Sequence, residues 1–289
     1  MYKIAILGCE NSHADAFLNY IKEGGFTDIE VVGVYSDDED AIARMKRDFG
    51  VYCAKSYDEF VGKIDGVLVT ARHGANHLKY ALPYFESGIP MFIDKPITAS
   101  VTEAIELAGL LKKNAIRFTG GSSCIHATEV RELKAIAEAK SSEIINGYVR
   151  APISMDNIYG GFWFYSQHLV QIMQEIFGYY PTSVTASCQG ISIHLTVKYA
   201  TYTVFATYTD GVYTYSASVG TKDGEENRSL TIDNSVFRAE FDEFYSLLKG
   251  GDSKQSIRDF ISPVFVLDAI ERAIASGCEE AVIAIPEEV

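Results

Sequence analysis

A lysine held between an acid and a proline is a first candidate for chemistry. Asp94-Lys95-Pro96 directly follows the apolar run Met91-Phe92-Ile93, which is typical of a buried strand. α/β proteins place ligands at the carboxyl ends of parallel strands, so Lys95 is a candidate for a ligand-binding or catalytic group. The residues are equally compatible with the alternative, a loop charge exposed to water.

A second candidate is the loop GCENSHADAF, Gly8 to Phe17, which follows a short apolar run. A strand, a glycine turn and a helix start usually open a dinucleotide-binding domain, in the pattern G-x-G-x-x-G or G-x-G-x-x-A. Here Glu10 and His13 stand at the second and third glycine positions. A helix beginning near Ser12, with Asn11 or Ser12 as its N-cap, would still offer backbone amides to an anion.

Glu10 leaves three interpretations open, because an ionised carboxylate beside two phosphates is repulsive by roughly 1 kcal/mol or more. Its side chain could point to solvent, the loop could be re-routed, or the ligand could have changed. We expect the carboxylate to turn away from the phosphate path, because rotating a side chain costs less order than moving a whole turn. Glu10, His13, His73 and His77 are a conceivable metal set, but none of their spacings is a recognised ligand pattern, and we predict no metal.

Strands and helices alternate over the first 120 residues. Strands are predicted at Ile4–Leu7, Glu30–Tyr35, Gly66–Thr70, Pro90–Ile93 and Ile116–Thr119. Helices are predicted at His13–Glu23, Asp40–Phe49, Asn76–Ser87 and Val101–Lys113. Glycine follows the first three helices, as helix ends prefer. This order predicts right-handed βαβ units and a parallel sheet.

The pattern changes after about residue 122. A helix at Glu129–Ala139 is followed by alternating strands, with Asp210-Gly211 as a hairpin turn. The strands are predicted at Val184–Ser187, Ser192–Lys198, Tyr202–Tyr208 and Val212–Val219. Two helices, Val236–Lys249 and Pro263–Ser276, and a last strand, Ala281–Ile285, close the chain, the second helix having Ser262 as N-cap and Pro263 at its first position.

The sequence therefore predicts an α/β fold of two domains. Residues 1–121 would form a Rossmann-like parallel sheet, and residues 122–289 an α+β domain with an open, mostly antiparallel sheet. The five cysteines form no C-x-x-C pair, which argues against a disulfide framework and favours the cytoplasm. The formal charge of −14 argues against nucleic acid, and no apolar run is long enough for a membrane partner. The net charge says little about a small-molecule site, whose local charge can differ from the total.

Two stretches make the chain resemble the Gfo/Idh/MocA family of NAD(P)-dependent oxidoreductases. In that family an E-K-P motif ends the fifth strand, where this chain has Asp94-Lys95-Pro96, and the segment His77–Thr98 follows the family spacing. In the second domain the family reads glycines, then D-x-x-x-H, then a helix ending in glycine. The matching stretch is Tyr159–Gly178, which places His168 on the family histidine and Phe164 on its aspartate.

The resemblance implies hydride transfer between NAD(H) and a secondary alcohol of a sugar, cyclitol or related polyol. Lys95 would orient the reacting hydroxyl and the nicotinamide, and His168 would act as the general base. The expected cofactor-binding residues are Gly8, Glu10, Asn11, Ser12, His13, Ser36, Asp37, Thr70, Arg72, His73, His77, Asp94 and Lys95. The expected substrate-lining residues are Lys95, Tyr159, Phe164, Tyr165 and His168.

The end of the second predicted strand favours NAD over NADP. Ser36 stands where NAD-binding members carry an acid for the ribose, and Asp37-Asp38-Glu39-Asp40 follow it. No Lys or Arg follows before Arg44, so a 2′-phosphate would meet carboxylates without a cationic fork. The same acids could simply start the helix at Asp40, where negative charge suits the helix dipole.

Family members tend to dimerise through the second-domain sheet, so a homodimer or higher homo-oligomer is expected. Five tyrosines favour an exposed contact face there, unless their rings face the helices. They are Tyr199, Tyr202, Tyr208, Tyr213 and Tyr215.

Phe164 supports a rival hypothesis. Phenylalanine cannot hold the tautomer of His168 as an aspartate would, although Tyr159 and Tyr165 could supply hydroxyls. Together with Glu10, this change favours a catalytically altered or inactive member that acts as a ligand-binding or regulatory protein. Lys95 and His168 favour the enzyme.

Overall fold

The structure of the protein is a computed structural model that describes residues 1–289. The chain divides into two compact units. The first contains residues 1–121, 237–257 and 289, and the second contains residues 122–236 and 258–288. Residues 237–257, which the sequence division assigns to the second domain, are therefore grouped with the first unit.

The first unit contains a five-stranded parallel sheet in the order β2-β1-β3-β4-β5, and the predicted parallel sheet is confirmed. Its strands are β1 (Tyr2–Leu7), β2 (Ile29–Tyr35), β3 (Gly66–Val69), β4 (Met91–Asp94) and β5 (Phe118–Gly121). Its helices are α1 (Ser12–Lys22), α2 (Glu39–Phe49), α3 (Ala75–Ala81, continued by a 3₁₀ turn at Leu82–Ser87) and α4 (Val101–Lys113).

The second unit contains a seven-stranded sheet in the order β11-β10-β6-β9-β8-β7-β12. All neighbours are antiparallel except β6 and β9, so the expected mostly antiparallel sheet is confirmed. The elements of the chain after residue 122 are α5 (Thr128–Ala139), β6 (Ile144–Ile153), α6 (Phe162–Phe177), β7 (Ser183–Gln189), β8 (Ser192–Lys198), β9 (Thr203–Asp210), β10 (Ser216–Thr221), β11 (Gly224–Ser229), α7 (Asn234–Leu248), α8 (Ile257–Ser276) and β12 (Glu280–Ala281).

Helix α7 joins the core of the first unit through its aromatic stripe. Phe241 and Phe244 are fully buried in one cluster with Ile4 of β1 and Phe17 of α1. Burying such a side chain contributes about 1.5–3 kcal/mol to folding, so this stripe binds α7 firmly to the parallel sheet.

The predicted hairpin at Asp210-Gly211 is wrong. Strand β9 pairs with β6 and β8, and β10 pairs with β6 and β11, so β6 lies between the two strands that the turn was expected to join. The strand β6 itself was not predicted. Its Gly147 permits close packing of α6, because a Cβ there would lie 2.1 Å from Cζ of Phe177.

The predicted start of the last helix is also wrong. Helix α8 begins at Ile257, and Pro263 lies inside it. A proline in a helix interior removes one backbone hydrogen bond. Phe260 and Ile261 before it and Val264 after it are fully buried, and this apolar burial outweighs the lost bond. None of the helices combines the length and apolar character needed to cross a lipid bilayer.

Candidate active site

The loop after β1 turns at Gly8, where φ is +93°. A Cβ at this position would lie 2.2 Å from the backbone nitrogen of Ala71, so glycine lets the loops after β1 and β3 meet. The Thr70 hydroxyl donates a hydrogen bond to the Gly8 carbonyl oxygen at 3.0 Å. The tight turn expected at Gly8 is therefore present and is held by the end of β3.

Helix α1 begins at Ser12, as the sequence predicts, with Asn11 as its N-cap. Oδ1 of Asn11 accepts a hydrogen bond from the backbone N–H of His13 at 3.3 Å and another from the Ser12 hydroxyl at 3.3 Å. The first turn of α1 thus lies at the carboxyl edge of the sheet, where its amides can attract an anion.

The carboxylate of Glu10 is held by donors on two neighbouring loops. Its Oε2 accepts a hydrogen bond from the Ser36 hydroxyl at 2.6 Å, and its Oε1 accepts one from the backbone N–H of Arg72 at 3.0 Å. Ser36 follows β2 and Arg72 lies after β3, so Glu10 connects the carboxyl ends of β1, β2 and β3. The carboxylate is therefore a structural part of this edge.

Asp37, directly after Ser36, is bonded to two tyrosine hydroxyls. Tyr35 and Tyr80 both donate to its carboxylate, Tyr80 at 2.7 Å, and Nζ of Lys79 lies 3.8 Å away. The hydrogen bond from Tyr35, followed by that from Tyr80, lowers the pKa of Asp37 below its ordinary value of 3.8. Asp37 is thus an anion at neutral pH.

The next acid has a helical role. Asp38 is the N-cap of α2 and accepts a hydrogen bond from the Ala41 N–H at 3.0 Å, so α2 begins at Glu39, one residue before its predicted start. Asp38 therefore caps α2, whereas Asp37 is bonded to the tyrosine hydroxyls.

Arg44 is the first cation after β2. Its guanidinium donates a hydrogen bond to the Cys9 carbonyl oxygen at 2.9 Å and lies 3.1 Å from the Asp15 carboxylate. These contacts hold Arg44 against the loop after β1 and α1.

The histidines after β3 occupy different surroundings. His77 is fully buried, and its Nε2 donates a hydrogen bond to the Ala71 carbonyl oxygen at 2.7 Å. Burial lowers the pKa of His77 from 6.5 to about 4, so the ring is neutral at pH 7. His73 is half-buried, and its Nδ1 accepts a hydrogen bond from the Ala75 N–H at 3.3 Å at the start of α3.

Lys95 is only 5% exposed, so its interpretation as an exposed loop charge is wrong. The preceding Asp94 is fully buried. Its Oδ1 accepts a hydrogen bond from the backbone N–H of Lys95 at 2.6 Å, and its Oδ2 accepts one from Nδ2 of Asn11 at 2.8 Å. Burial raises the pKa of Asp94 from 3.8 to about 6, which leaves it ionised at neutral pH.

A buried cluster that the sequence did not predict surrounds His13. Nδ1 of His13 lies 3.1 Å from Oδ2 of Asp94, and Nε2 lies 3.1 Å from Oε2 of Glu240. The side chains of these three residues lie close enough together to hold an ion. Of the four residues that the sequence offered as a metal set, only His13 belongs to this group. Glu240 was missed because α7 is distant in sequence and shows no local ligand pattern.

In the second unit, His168 lies in α6 and is buried. Its Nδ1 lies 2.7 Å from the Ser122 hydroxyl and 3.4 Å from Sγ of Cys124. The backbone N–H of Ser122 donates a hydrogen bond to Oε1 of Gln171 at 2.5 Å, which fixes this segment against α6. Sequence reasoning missed Ser122 and Cys124, whose signal was a run of hydroxyl and thiol side chains directly after β5.

Phe164 packs among tyrosines. Its ring centroid lies 5.0 Å from that of Tyr159 and 5.6 Å from that of Tyr165, and the Tyr165 ring meets His168 edge-on at 4.8 Å. Tyr165 and Tyr215 share a side-chain hydrogen bond, and burial raises the pKa of both phenols. Neutral hydroxyls and a thiol therefore surround His168. An imidazole held by a hydroxyl at one nitrogen can exchange a proton at the other.

Three of the tyrosines expected on an interface bond to backbone around α6. The hydroxyls of Tyr199, Tyr202 and Tyr208 donate to the carbonyl oxygens of residues 178, 177 and 166 respectively. Tyr208 is fully buried, so its interpretation as a contact residue is wrong. Tyr199 and Tyr202 are partly exposed, and their place in a contact stays a prediction. Tyr213 is 66% exposed, and Phe205, on β9, is 48% exposed.

One known family is similar to the first part of the chain. Residues 2–122 match the family model GFO_IDH_MocA, described as "Oxidoreductase family, NAD-binding Rossmann fold". No curated protein is significantly similar to the sequence.

Solved structures share the whole fold. One is scyllo-inositol dehydrogenase from Lactobacillus casei with bound NAD(H) and scyllo-inositol, at 14% identity and a TM-score of 0.85, covering 98% of this chain and 100% of that one. Another is GenD2 from gentamicin A biosynthesis in complex with NAD, at 15% identity and 0.84, covering 98% and 97%. A third is myo-inositol 2-dehydrogenase from Lactobacillus plantarum, at 14% and 0.83, covering 98% and 99%. At these identities the likeness shows the fold.

Proposed function

We propose that the chain is a member of the Gfo/Idh/MocA oxidoreductase family and that it transfers a hydride between NAD(H) and a secondary alcohol of a sugar, cyclitol or related polyol. The match of residues 2–122 to that family model supports this proposal. The observation that carries this proposal is the burial of Lys95 beside ionised Asp94 at the carboxyl end of β4. A lysine buried at that edge costs desolvation, which a ligand-orienting role justifies. The inositol dehydrogenases among the similar structures support the alcohol class.

The two units have different tasks in this proposal. The first unit binds NAD through the amides of α1 and the edge that Gly8 and Glu10 organise. The second unit binds the polyol and supports oligomerisation. When NAD is bound it accepts or supplies the hydride, while Lys95 orients the reacting hydroxyl and His168 moves its proton. We also infer that the protein works in the cytoplasm as a homodimer or higher homo-oligomer.

NAD is the proposed cofactor in preference to NADP. Asp37 is an anion beyond the end of β2, and a 2′-phosphate there would be repelled. Arg44, the first candidate for a phosphate fork, is engaged with Cys9 and Asp15. Matched titrations at one ionic strength test this preference, and equal dissociation constants for the two dinucleotides would contradict it.

A second candidate function is a ligand-binding or regulatory protein without turnover. Two observations favour it. The Glu10 carboxylate is held by hydrogen bonds in the loop after β1, where the proposed pyrophosphate would approach. Phe164, where the family carries an aspartate, packs against Tyr165, and the Tyr165 ring contacts His168.

Titration with NADH, followed by nicotinamide fluorescence, tests the proposed function. We expect saturable binding at micromolar to millimolar concentration, and then reduction of NAD in the presence of cyclitols or sugars. Binding without turnover across such a panel would favour the second candidate. A lack of binding of either dinucleotide at millimolar concentration would overturn the oxidoreductase proposal.

A further inference from the structure

We propose that Glu240, His13 and Asp94 form a buried proton-sharing chain that acts as the counter-charge of Lys95 and positions it. The inference rests on the role proposed above for Lys95, but its chemistry is independent of substrate. Glu240, His13 and Asp94 would be positioning residues, since they act on Lys95 and not on the reacting atoms.

The three side chains of this proton-sharing chain are almost completely buried. His13 is 3% exposed, Glu240 1% and Asp94 not at all. Aromatic rings surround the imidazole, with the Phe237 ring edge-on at 4.8 Å and that of Phe17 at 5.7 Å. In such surroundings each charge must be neutralised by a proton or a cation, because an unpaired buried charge is costly.

The contacts of Nδ1 decide where one proton lies. This nitrogen is 3.1 Å from Oδ1 of Asn11 and 3.1 Å from Oδ2 of Asp94. Both neighbours are acceptors, since the amide nitrogen of Asn11 donates to that same Asp94 oxygen. Nδ1 must therefore carry a hydrogen. Asp94 accepts on both of its oxygens and is the ionised member.

A second proton lies between His13 and Glu240. Nε2 and Oε2 are 3.1 Å apart, and two bare acceptors at that distance would repel. Neither oxygen of Glu240 accepts a hydrogen bond of standard geometry from another group. One shared proton, on the imidazole or on the carboxyl group, resolves the contact. Burial raises the pKa of Glu240 well above 4.5 and lowers that of His13, so the proton is held at neutral pH.

The three side chains together then carry one negative charge. Lys95 is the buried cation next to this charge, because it directly follows Asp94, is 5% exposed and acts electrostatically on all three side chains. The other charged group that acts on Glu240 is Glu243 of α7, whose carboxylate lies 2.7 Å from Nζ of Lys254. A single negative charge against a single ammonium leaves the buried edge of β4 electrically neutral.

The geometry favours protons over a metal ion. The two ring nitrogens point in different directions, one to Asp94 and the other to Glu240. One ligand atom from each of the three side chains lies within 4.8 Å of the others, but only one nitrogen of an imidazole can bind a given ion. An ion held by all three side chains would therefore have to replace one of the two short contacts of His13.

The chain also fixes the backbone that carries the lysine. Oδ1 of Asp94 holds the N–H of Lys95 at 2.6 Å, while His13 and Asn11 hold Oδ2 of the same carboxylate. Asp94 is thus restrained from both sides, and its position transmits that restraint to Lys95.

The first experiment determines the tautomer of His13 by ¹⁵N NMR of the full-length protein with labelled histidine. We expect His13 to carry a hydrogen on Nδ1 from pH 6 to 8, with its signals assigned by their loss in His13→Gln. A bare Nδ1 would overturn the proposal. A stoichiometric metal ion that metal analysis finds, and whose removal by a chelator shifts the His13 signals, would also overturn it.

The second experiment measures the Lys95 ammonium by ¹³C NMR after reductive methylation, with assignment by Lys95→Arg. Glu240→Gln leaves one negative charge on the three side chains together, so the pKa of Lys95 should stay unchanged. Asp94→Asn removes the charge and should lower that pKa by about 1 unit or more. The exposed control Asp156→Asn should leave it unchanged. An equal shift of the Lys95 pKa in Glu240→Gln and Asp94→Asn, or no shift in either variant, would contradict the proposed proton-sharing chain.

These readings need neither NAD nor an alcohol. If no polyol is turned over but the His13 tautomer and the pKa shift of Lys95 are as expected, the proton-sharing chain is supported and only the proposed function is contradicted. If Asp94→Asn fails to fold, the tautomer, the metal analysis and Glu240→Gln still decide.

Discussion

Replacing Glu10 by glutamine is the most informative change at the carboxyl edge of the parallel sheet. The sequence alone suggests Glu10→Gly, which should relieve repulsion and strengthen NAD binding. The structure adds that the carboxylate accepts hydrogen bonds from Ser36 and from the backbone of Arg72. Glutamine keeps an amide oxygen for the N–H of Arg72 and can pair its NH₂ with the Ser36 hydroxyl oxygen. Glu10→Gln therefore removes the charge and keeps the connection between the three loops.

The expected magnitudes separate the two variants. A unit charge about 4 Å from a phosphate costs ~1 kcal/mol in water, so Glu10→Gln should tighten NADH binding about fivefold. Glu10→Gly relieves the same repulsion but loses two hydrogen bonds, each contributing about 0.5–1.5 kcal/mol. It should therefore lower the free energy of unfolding by about 1–3 kcal/mol, and its gain in affinity should be smaller.

The assay is NADH titration by fluorescence at several salt concentrations, with unfolding followed by denaturant. The Debye length shrinks from about 30 Å at 0.01 M salt to about 3 Å at 1 M, so the gain from Glu10→Gln should fade as salt rises. Glu106→Gln, the same change at an exposed position of α4, should have no such effect. Weaker binding in Glu10→Gln at every salt concentration would refute the reasoning, because the carboxylate would then be a ligand contact.

Three further predictions concern other parts of the molecule. Lys95→Met keeps most of the buried volume and should abolish turnover while NADH still binds; retained turnover would remove Lys95 from the mechanism. The pKa of His77 is about 4 when folded and 6.5 ordinarily, so the unfolded chain binds the proton first as pH falls. Its contribution to stability, about 3 kcal/mol above pH 6.5, should be lost between pH 6.5 and 4, and denaturation of His77→Gln should show a shallower pH dependence. Light scattering should show a homo-oligomer that Phe205→Asp weakens, and a monomeric wild-type protein at micromolar concentration would count against the contact.

Local signals predicted the elements of the first unit well. The helix Val101–Lys113 has the predicted bounds, and Ser100 is its N-cap. In the second unit they predicted several elements, such as Ser192–Lys198, but not the strand order, because β6 inserts between β9 and β10 from a distant part of the sequence. A turn signal such as Asp210-Gly211 reports that the chain bends, and it does not report which strand lies beside the next.

The candidate site divides in the same way. The positions of Lys95 and His168 follow from motifs that lie within short stretches. The partners that set their chemistry, Glu240 and Ser122, come from other elements and carry no spacing signal. The burial of Lys95 could not be predicted from the sequence either, because a lysine after a strand can be exposed or buried, and only tertiary packing decides which.

The return of residues 237–257 to the first unit has a consequence for how the protein is made. A ribosome releases the parallel sheet long before it releases α7, so the nascent sheet must wait with the surface that Phe241 and Phe244 later cover exposed. A recombinant fragment that stops at Gly121 would keep that surface open permanently and should aggregate. We therefore do not expect residues 1–121 to fold as an independent domain, and a fusion protein that uses the first unit would also have to supply α7.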